Sequence, residues 1–246
     1  YGSKGGFQIP HNIVPPLSSW SIQVQITLEE AQAEYTVFQI DSHNQPDWYV
    51  AKVNPARKIP ALTYGGPKVP PEDPSPESVK IAESLVILEF IADLFPEAHL
   101  LPTDRVLRAK ARFFINAVET KFIPAFLAFI FRSGAVDDLL ASAEALQALL
   151  PPTSGYAVGA WSVADAAFAP FLAALTLALE NEIGTYVEGE GRKTADILRS
   201  AKFARLQRYL KDLKARPSFQ KTWAEVGCAS APAYGTSAEY DALYLG

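Results

Sequence analysis

The chain has 246 residues, 49% of them hydrophobic, enough to bury one large core or two modest ones. Its formal charge is -5, with no basic face in view, so nucleic-acid binding is not expected. The single cysteine, Cys228, leaves no internal disulfide framework and points to a reducing, cytoplasmic setting. The longest apolar runs, 122–131 and 166–179, each contain a proline and fall short of the ~20 residues of a membrane span, so no membrane contact is expected. No secretory signal is read at the amino end. Methionine is absent altogether, and the opening Tyr-Gly-Ser-Lys-Gly-Gly reads as a trimmed or tagged terminus. His11, His43 and His99 lack ligand spacing, and with one cysteine no metal site is expected.

Residues 1–100 mix β-branched segments, prolines and short helices, whereas 104–226 read almost entirely as helix. A proline-bounded linker over 95–102 predicts two domains, 1–96 and 103–246. At the start, Pro10, Pro15 and Pro16 bracket residues 11–14 and weaken a first strand. Ile22, Val24, Ile26 and Leu28 then alternate with polar residues, which by periodicity alone reads as a strand, although 28–34 holds good helix formers. Residues 35–40 have strand composition. Residues 60–64 form a second strand stopped by Gly65-Gly66 in a turn, 68–78 a proline-rich acidic loop, and 79–81 a short third strand. Leu85, Leu88, Ile91 and Ala92 then recur at helical spacing over 84–94. This order predicts a small mixed sheet covered by helices.

In the second half, Thr103-Asp104 caps a long helix that passes through Phe113, Phe114, Val118 and Phe122 and is kinked or interrupted at Pro124. Another helix covers 141–150 and stops at Pro151-Pro152. Ser162 and Asp165 form a helix start able to satisfy the first free amides. Leu206, Tyr209, Leu210 and Leu213 mark a late helix, and Arg216-Pro217-Ser218-Phe219 opens the last one.

Five pieces in this order, Leu28-Glu29-Glu30-Ala31, 54–62 (Asn-Pro-Ala-Arg-Lys-Ile-Pro-Ala-Leu), Ala82-Glu83-Ser84-Leu85, 162–170 and 215–219, resemble a cytosolic glutathione transferase, and the fungal omega class most closely. The resemblance covers about residues 10–230. It implies an α/β thioredoxin-like first domain, an all-α, all-helical second domain and a homodimer. It also implies glutathione as co-substrate.

The family's catalytic position, counted back without gaps from Leu28, falls on Ser18. Omega proteins usually carry cysteine there, and a fungal subset is similar to this chain in carrying serine. The family's Pro-Tyr-Ala-His-Arg stretch is replaced by Ser19-Trp20-Ser21-Ile22-Gln23, which leaves Ser19 and Ser21 as competitors. By the same resemblance, Trp20 joins the glutathione contacts, and the Ile59 backbone meets the cysteinyl unit if Ile59-Pro60 is cis. Lys58 meets the glycine carboxylate, Ser84 and the helix amides hold the γ-glutamyl carboxylate, and Glu83 takes its ammonium.

Singly, each residue has a plainer explanation. Lys58 suits a solvated loop, Glu83-Ser84 ordinary helix capping, Pro60 a strand edge and Ser18 a turn. Ser162 and Asp165 resemble the family's folding-related cap and are assigned to structure.

A cysteinyl thiol with a pKa of ~8.5 is only a few per cent ionised at neutral pH, and each unit of lowering corresponds to about 1.4 kcal/mol of thiolate stabilisation. A serine hydroxyl at a helix amino end can donate to such a thiolate but cannot form a mixed disulfide, so poor thiol transfer is expected. Cys228, beyond the last core helix, is a poor substitute. The phenylalanine-rich stretch 113–131 suggests an apolar cleft for aromatic or polyphenolic substrates, with Phe122, Phe126 and Trp161 as its candidate lining and Trp223 as a further candidate. Three readings remain: an enzyme acting on small electrophiles and hydroperoxides, a carrier of aromatic molecules, and a transferase-like regulatory module.

Overall fold

The computed structural model describes residues 7–12, 18–41 and 44–227. Cys228 and His43 lie outside the described residues. The first half builds a four-stranded sheet in the order β2-β1-β3-β4 from β1 (Phe7–Asn12), β2 (Tyr35–Ile40), β3 (Ala61–Tyr64) and β4 (Val79–Ala82). β1 runs parallel to β2 along its full length, and β3 is antiparallel to both β1 and β4. The first strand therefore starts upstream of 11–14, contains Pro10 and ends within that stretch at Asn12. Its pairing with β3 covers only Phe7 and Gln8, and Pro10, without an N–H, lies just beyond that pairing.

The alternating segment after Ser18 is a helix, α1 (Ser19–Glu30). Alternation misleads here because the polar positions are buried as well, so no face is left for water. The Gln23 side-chain amide donates to the Ala167 carbonyl at 2.6 Å, and Thr27 Oγ1 donates back to the Gln23 carbonyl at 2.8 Å. A short helix, α2 (Asp47–Lys52), occupies a stretch that carries no recognisable helix pattern. α3 (Ser84–Leu94) follows β4 and packs on α1. Strands, α1 and α3 thus form the thioredoxin-like layer expected from the sequence.

The second half is helical: α4 (Arg105–Ala117), α5 (Ile123–Phe131), α6 (Val136–Leu149), α7 (Val163–Glu180), α8 (Glu190–Leu198), α9 (Ala204–Lys214) and α10 (Pro217–Gly227). Asp104 caps α4 by accepting from the Val106 and Leu107 amides. Between α4 and α5 lies a π turn, Val118–Phe122. Pro124 has no N–H for the Thr120 carbonyl, and the chain widens one turn ahead of it, Ile123 N–H reaching Val118 O five residues back. The expected disturbance at Pro124 thus becomes a bulge inside a continuous rod. Helical stretches Arg105–Phe131 and Val163–Glu180 are each long and apolar enough to cross a bilayer, contrary to the run lengths read from sequence. The second is 83% buried over its most apolar window, as a core helix is.

α7 is the central strut and packs against α1, α4, α8 and α9. Its start is the predicted cap: Ser162 Oγ accepts from Ala164 N–H, and Asp165 Oδ2 accepts from Ser162 N–H at 2.8 Å. Asp165 does more than cap. It is fully buried, and its Oδ1 also accepts from Ala157 N–H at 2.8 Å and from the Tyr209 hydroxyl at 2.7 Å. Burial pushes its pKa up to about 6, against the pull of those donors. The folded chain therefore holds this proton more tightly than the unfolded chain does between about pH 4 and 6, and the group's contribution to stability falls as pH rises through that window. Asp165→Ala leaves the Ala157 and Ser162 amides and Tyr209 without their acceptor. Urea denaturation is expected to show a loss of about 3–5 kcal/mol, and a loss below 1 kcal/mol would show the network to be dispensable.

A second tie joins the two halves. Arg216 grips Glu30 through Nε at 2.6 Å and a second nitrogen at 2.5 Å, and Ser218 Oγ donates to the same carboxylate. The guanidinium also lies over the rings of Tyr156 and Trp161, 5.2 and 5.1 Å from their centres. The conspicuous Arg216-Pro217-Ser218 run therefore locks the end of α1 to the start of α10.

Candidate active site

The loop before β3 is shaped by two buried side chains. Tyr49, fully buried on α2, donates its hydroxyl to the Lys58 carbonyl at 2.6 Å. The Asn54 side-chain amide donates to the same oxygen at 2.8 Å, and Asn54 Oδ1 accepts from the Ala56 amide. The Tyr49 hydroxyl is held protonated, its pKa raised chiefly by burial. These contacts set the basic loop as the chain enters Ile59-Pro60, whose peptide bond is cis.

At the other end of β4 the chain turns sharply. Glu83 has φ 65° and ψ 113°, in the left-handed half of the map that side chains other than glycine seldom occupy. It precedes α3 but makes no side-chain capping hydrogen bond. The plainer reading of Glu83-Ser84 as a cap therefore fails, and the first-turn amides of α3 are left to meet something else.

Both segments open on one cavity of about 500 Å³. Trp20 from α1, Lys58, Ile59 and Pro60 from the loop, and Glu83 and Ser84 from the start of α3 all line it. Six residues predicted separately from sequence are thus neighbours. The far wall comes from the helical half: Glu119 on the π turn, Ile123, Pro124, Leu127 and, from the end of α5, Arg132, with Leu85 beside them. The cavity pairs two carboxylates, Glu83 and Glu119, with two cations, Lys58 and Arg132, beside an apolar patch. Glu119, half-buried, has its carboxyl pKa raised, first by burial and then by the nearby Glu83 charge.

Glu119 and Arg132 escaped the sequence reading. A signal existed, since Glu119-Thr120-Lys121 is a charged interruption in an apolar helix just before Pro124, where a bulge is expected. Phe122 and Phe126 do not line this cavity. Both are buried in the core, Phe122 packing edge-on against Phe168 with ring centres 4.8 Å apart and Phe126 against Phe171 at 6.1 Å. Trp161 lies under the Arg216 guanidinium and Trp223 stacks on Phe219, and neither lines the cavity. The cleft wall is instead the helix face 119, 123 and 127, one residue around from the phenylalanine face.

Ser18 is the amino cap of α1. It is 6% exposed, its Oγ accepts from the Ser21 amide at 3.2 Å, and it lies 2.8 Å from Ser21 Oγ. Ser19 and Ser21 are more deeply buried, and none of the three serines lines the cavity, which α1 reaches through Trp20.

Residues 17–94 match the family described as glutathione S-transferase, N-terminal domain. The chain is 48% identical to a crystal structure of glutathione transferase Omega 1C from Trametes versicolor, covering 97% of this chain and 96% of that one with a TM-score of 0.85. The chain belongs to the glutathione transferase family. Within it, the fungal omega class is supported again by glutathione transferase Omega 2S from Trametes versicolor in complex with 2,4-dihydroxybenzophenone. That structure is 44% identical, with 93% and 99% of the two chains covered and a TM-score of 0.86. Similarity to glutathione S-transferase L1 of Arabidopsis thaliana is 29% over 59% of this chain. This transferase-family chain spans 38% to 56% of the length of that protein and four other curated relatives.

Proposed function

We propose that the chain is an omega-like glutathione transferase that uses the glutathione thiolate to conjugate or reduce small hydrophobic electrophiles and hydroperoxides, with poor thioltransferase activity. The observation that carries this reading is the uncapped start of α3, facing the same cavity as Lys58 and the cis Ile59-Pro60 loop. Ser84 and the free amides receive the γ-glutamyl carboxylate. Its ammonium lies by Glu83, with Glu119 across the cavity, and Lys58 meets the glycine carboxylate. Ser18 is the thiolate-stabilising residue. In this reading its hydroxyl donates to sulfur while its oxygen accepts from the Ser21 amide, and the Ser21 hydroxyl, 2.8 Å away, supports it as a second donor. Sulfur, not Ser18, attacks the electrophile. The apolar patch of Leu85, Ile123, Pro124 and Leu127 takes the second substrate, the part first given to Phe122, Phe126 and Trp161.

A homodimer in the cytosol fits this reading. Val79 on β4, Val86 on α3, and Val106 and Phe113 on α4 are all more than half exposed, and Arg112 bridges α4 to Glu89 of α3 at 2.8 Å. The second reading is a non-catalytic carrier of aromatic or polyphenolic molecules, favoured by the neighbour crystallised with 2,4-dihydroxybenzophenone. Steady-state assays with glutathione plus 1-chloro-2,4-dinitrobenzene or cumene hydroperoxide separate the two. The enzyme reading expects saturable turnover with at least one of them. Melting shifts with hydroxybenzophenones and no turnover with either would leave the carrier.

A further inference from the structure

We infer a second small-molecule site, for an amphipathic anion, in the groove between α8 and α9. Both helices pack on α7 and are joined by a 3-10 turn, Ala201–Phe203. The cavity between them has a volume of about 350 Å³ and shares no lining residue with the glutathione cleft. Its size is at the low end for small-ligand pockets. Its floor is apolar: Leu172 and Leu179 of α7, Ala195 and Leu198 of α8, and Leu206 and Leu210 of α9.

The rim has one sign of charge. Among the described residues, Arg199, Lys211 and Lys214 line the groove and no aspartate or glutamate does, in a chain whose formal charge is -5. Arg199 is held by Glu180 at 2.6 Å and Asp196 at 3.4 Å. Lys211 and Lys214 make no ion pair with the described residues. They stand three residues apart on α9, on the edge that Gln207 begins, beside the Leu206–Leu210 stripe. An apolar trough ending at two uncommitted ammonium groups matches a ligand with a slim hydrocarbon body and one anionic head, and a medium-chain carboxylate is the occupant assigned. The head meets Lys211 and Lys214, and the chain lies over Leu172, Leu179 and Leu206.

Calorimetric titration with dodecanoate below its micellar concentration tests this, with dodecanol as the uncharged control. Wild-type protein is expected to bind dodecanoate saturably, one per chain, in the presence of saturating S-hexylglutathione. Reversing the rim in Lys211→Glu/Lys214→Glu is expected to weaken dodecanoate by about tenfold and leave dodecanol nearly unchanged. Ala195→Trp, which fills the floor, is expected to abolish both, and glutathione affinity stays at the wild-type level in each variant. Absence of saturable binding, displacement by S-hexylglutathione, or equal affinity in the double charge reversal would each overturn the assignment. Each of these outcomes leaves glutathione binding itself intact, so the two readings fail separately.

Discussion

Glu83→Ala is expected to lower kcat/KM for glutathione-dependent turnover by about 10- to 150-fold, because a hydrogen bond to a charged group is worth about 1.5–3 kcal/mol. The backbone isolates the cause. At φ 65° alanine and glutamate bear similar strain, so the variant keeps the turn and loses only the carboxylate. Glu83→Gln, which preserves shape as well, is expected to fall nearly as far, with the melting temperature of both variants near wild type. Kinetics unchanged in both variants would mean that the ammonium is not held at this corner. Glu119 has a separate signature. Its pKa is raised by burial and by Glu83, so it protonates at higher pH than an ordinary glutamate. Bound ammonium favours its ionised form, and affinity for glutathione is therefore expected to decline as pH falls through the Glu119 titration. In Glu119→Gln that decline is expected to be blunted.

Ser18→Cys is expected to convert the chain from a poor to a competent thiol transferase. A cysteine at the amino end of α1 sits where the helix dipole lowers a thiol pKa. Its thiolate attacks the glutathionyl sulfur of a mixed disulfide, forms a disulfide with glutathione and releases the substrate as a thiolate. A second glutathione thiolate then attacks that bond, yielding oxidised glutathione and regenerating the cysteine thiolate. Serine can perform neither exchange. Assays on a glutathionylated peptide are expected to give background rates for wild type and clear turnover for the variant. Robust wild-type activity would contradict the role given to Ser18, as would an inactive variant that still binds glutathione.

The residues most legible in sequence are those whose chemistry is local. Lys58-Ile59-Pro60 and Glu83-Ser84 are short strings whose residue types restrict the backbone, and the structure brings both to one cavity. Ser162 and Asp165 were readable as a cap because capping acts over three residues. The long-range part, Asp165 accepting from Tyr209 forty-four residues away, left no trace in the string. α1 shows the opposite failure. Period-two alternation of Ile22, Val24, Ile26 and Leu28 imitates a strand because burial on every side removes the polar face that normally marks a helix. The phenylalanines of the π turn and α5 face away from the cleft for a similar reason. Composition cannot say which side of an almost wholly apolar helix faces a cleft, and a shift of one residue turns Phe122 and Phe126 inward while Ile123 and Leu127 reach the cavity. Glu119 was missed because its partners come from the other half of the chain.

Titration calorimetry of the wild-type chain with glutathione at pH 7, repeated in two buffers of different ionisation enthalpy, tests the central claim most directly. It reports both whether the cleft is filled and whether a proton leaves the thiol on binding. The account predicts saturable binding at one glutathione per chain and release of close to one proton, since a thiol that starts near pKa ~8.5 must ionise if the Ser18 end of α1 lowers it below neutrality. No saturable heat at millimolar glutathione, or binding without proton release, would contradict it.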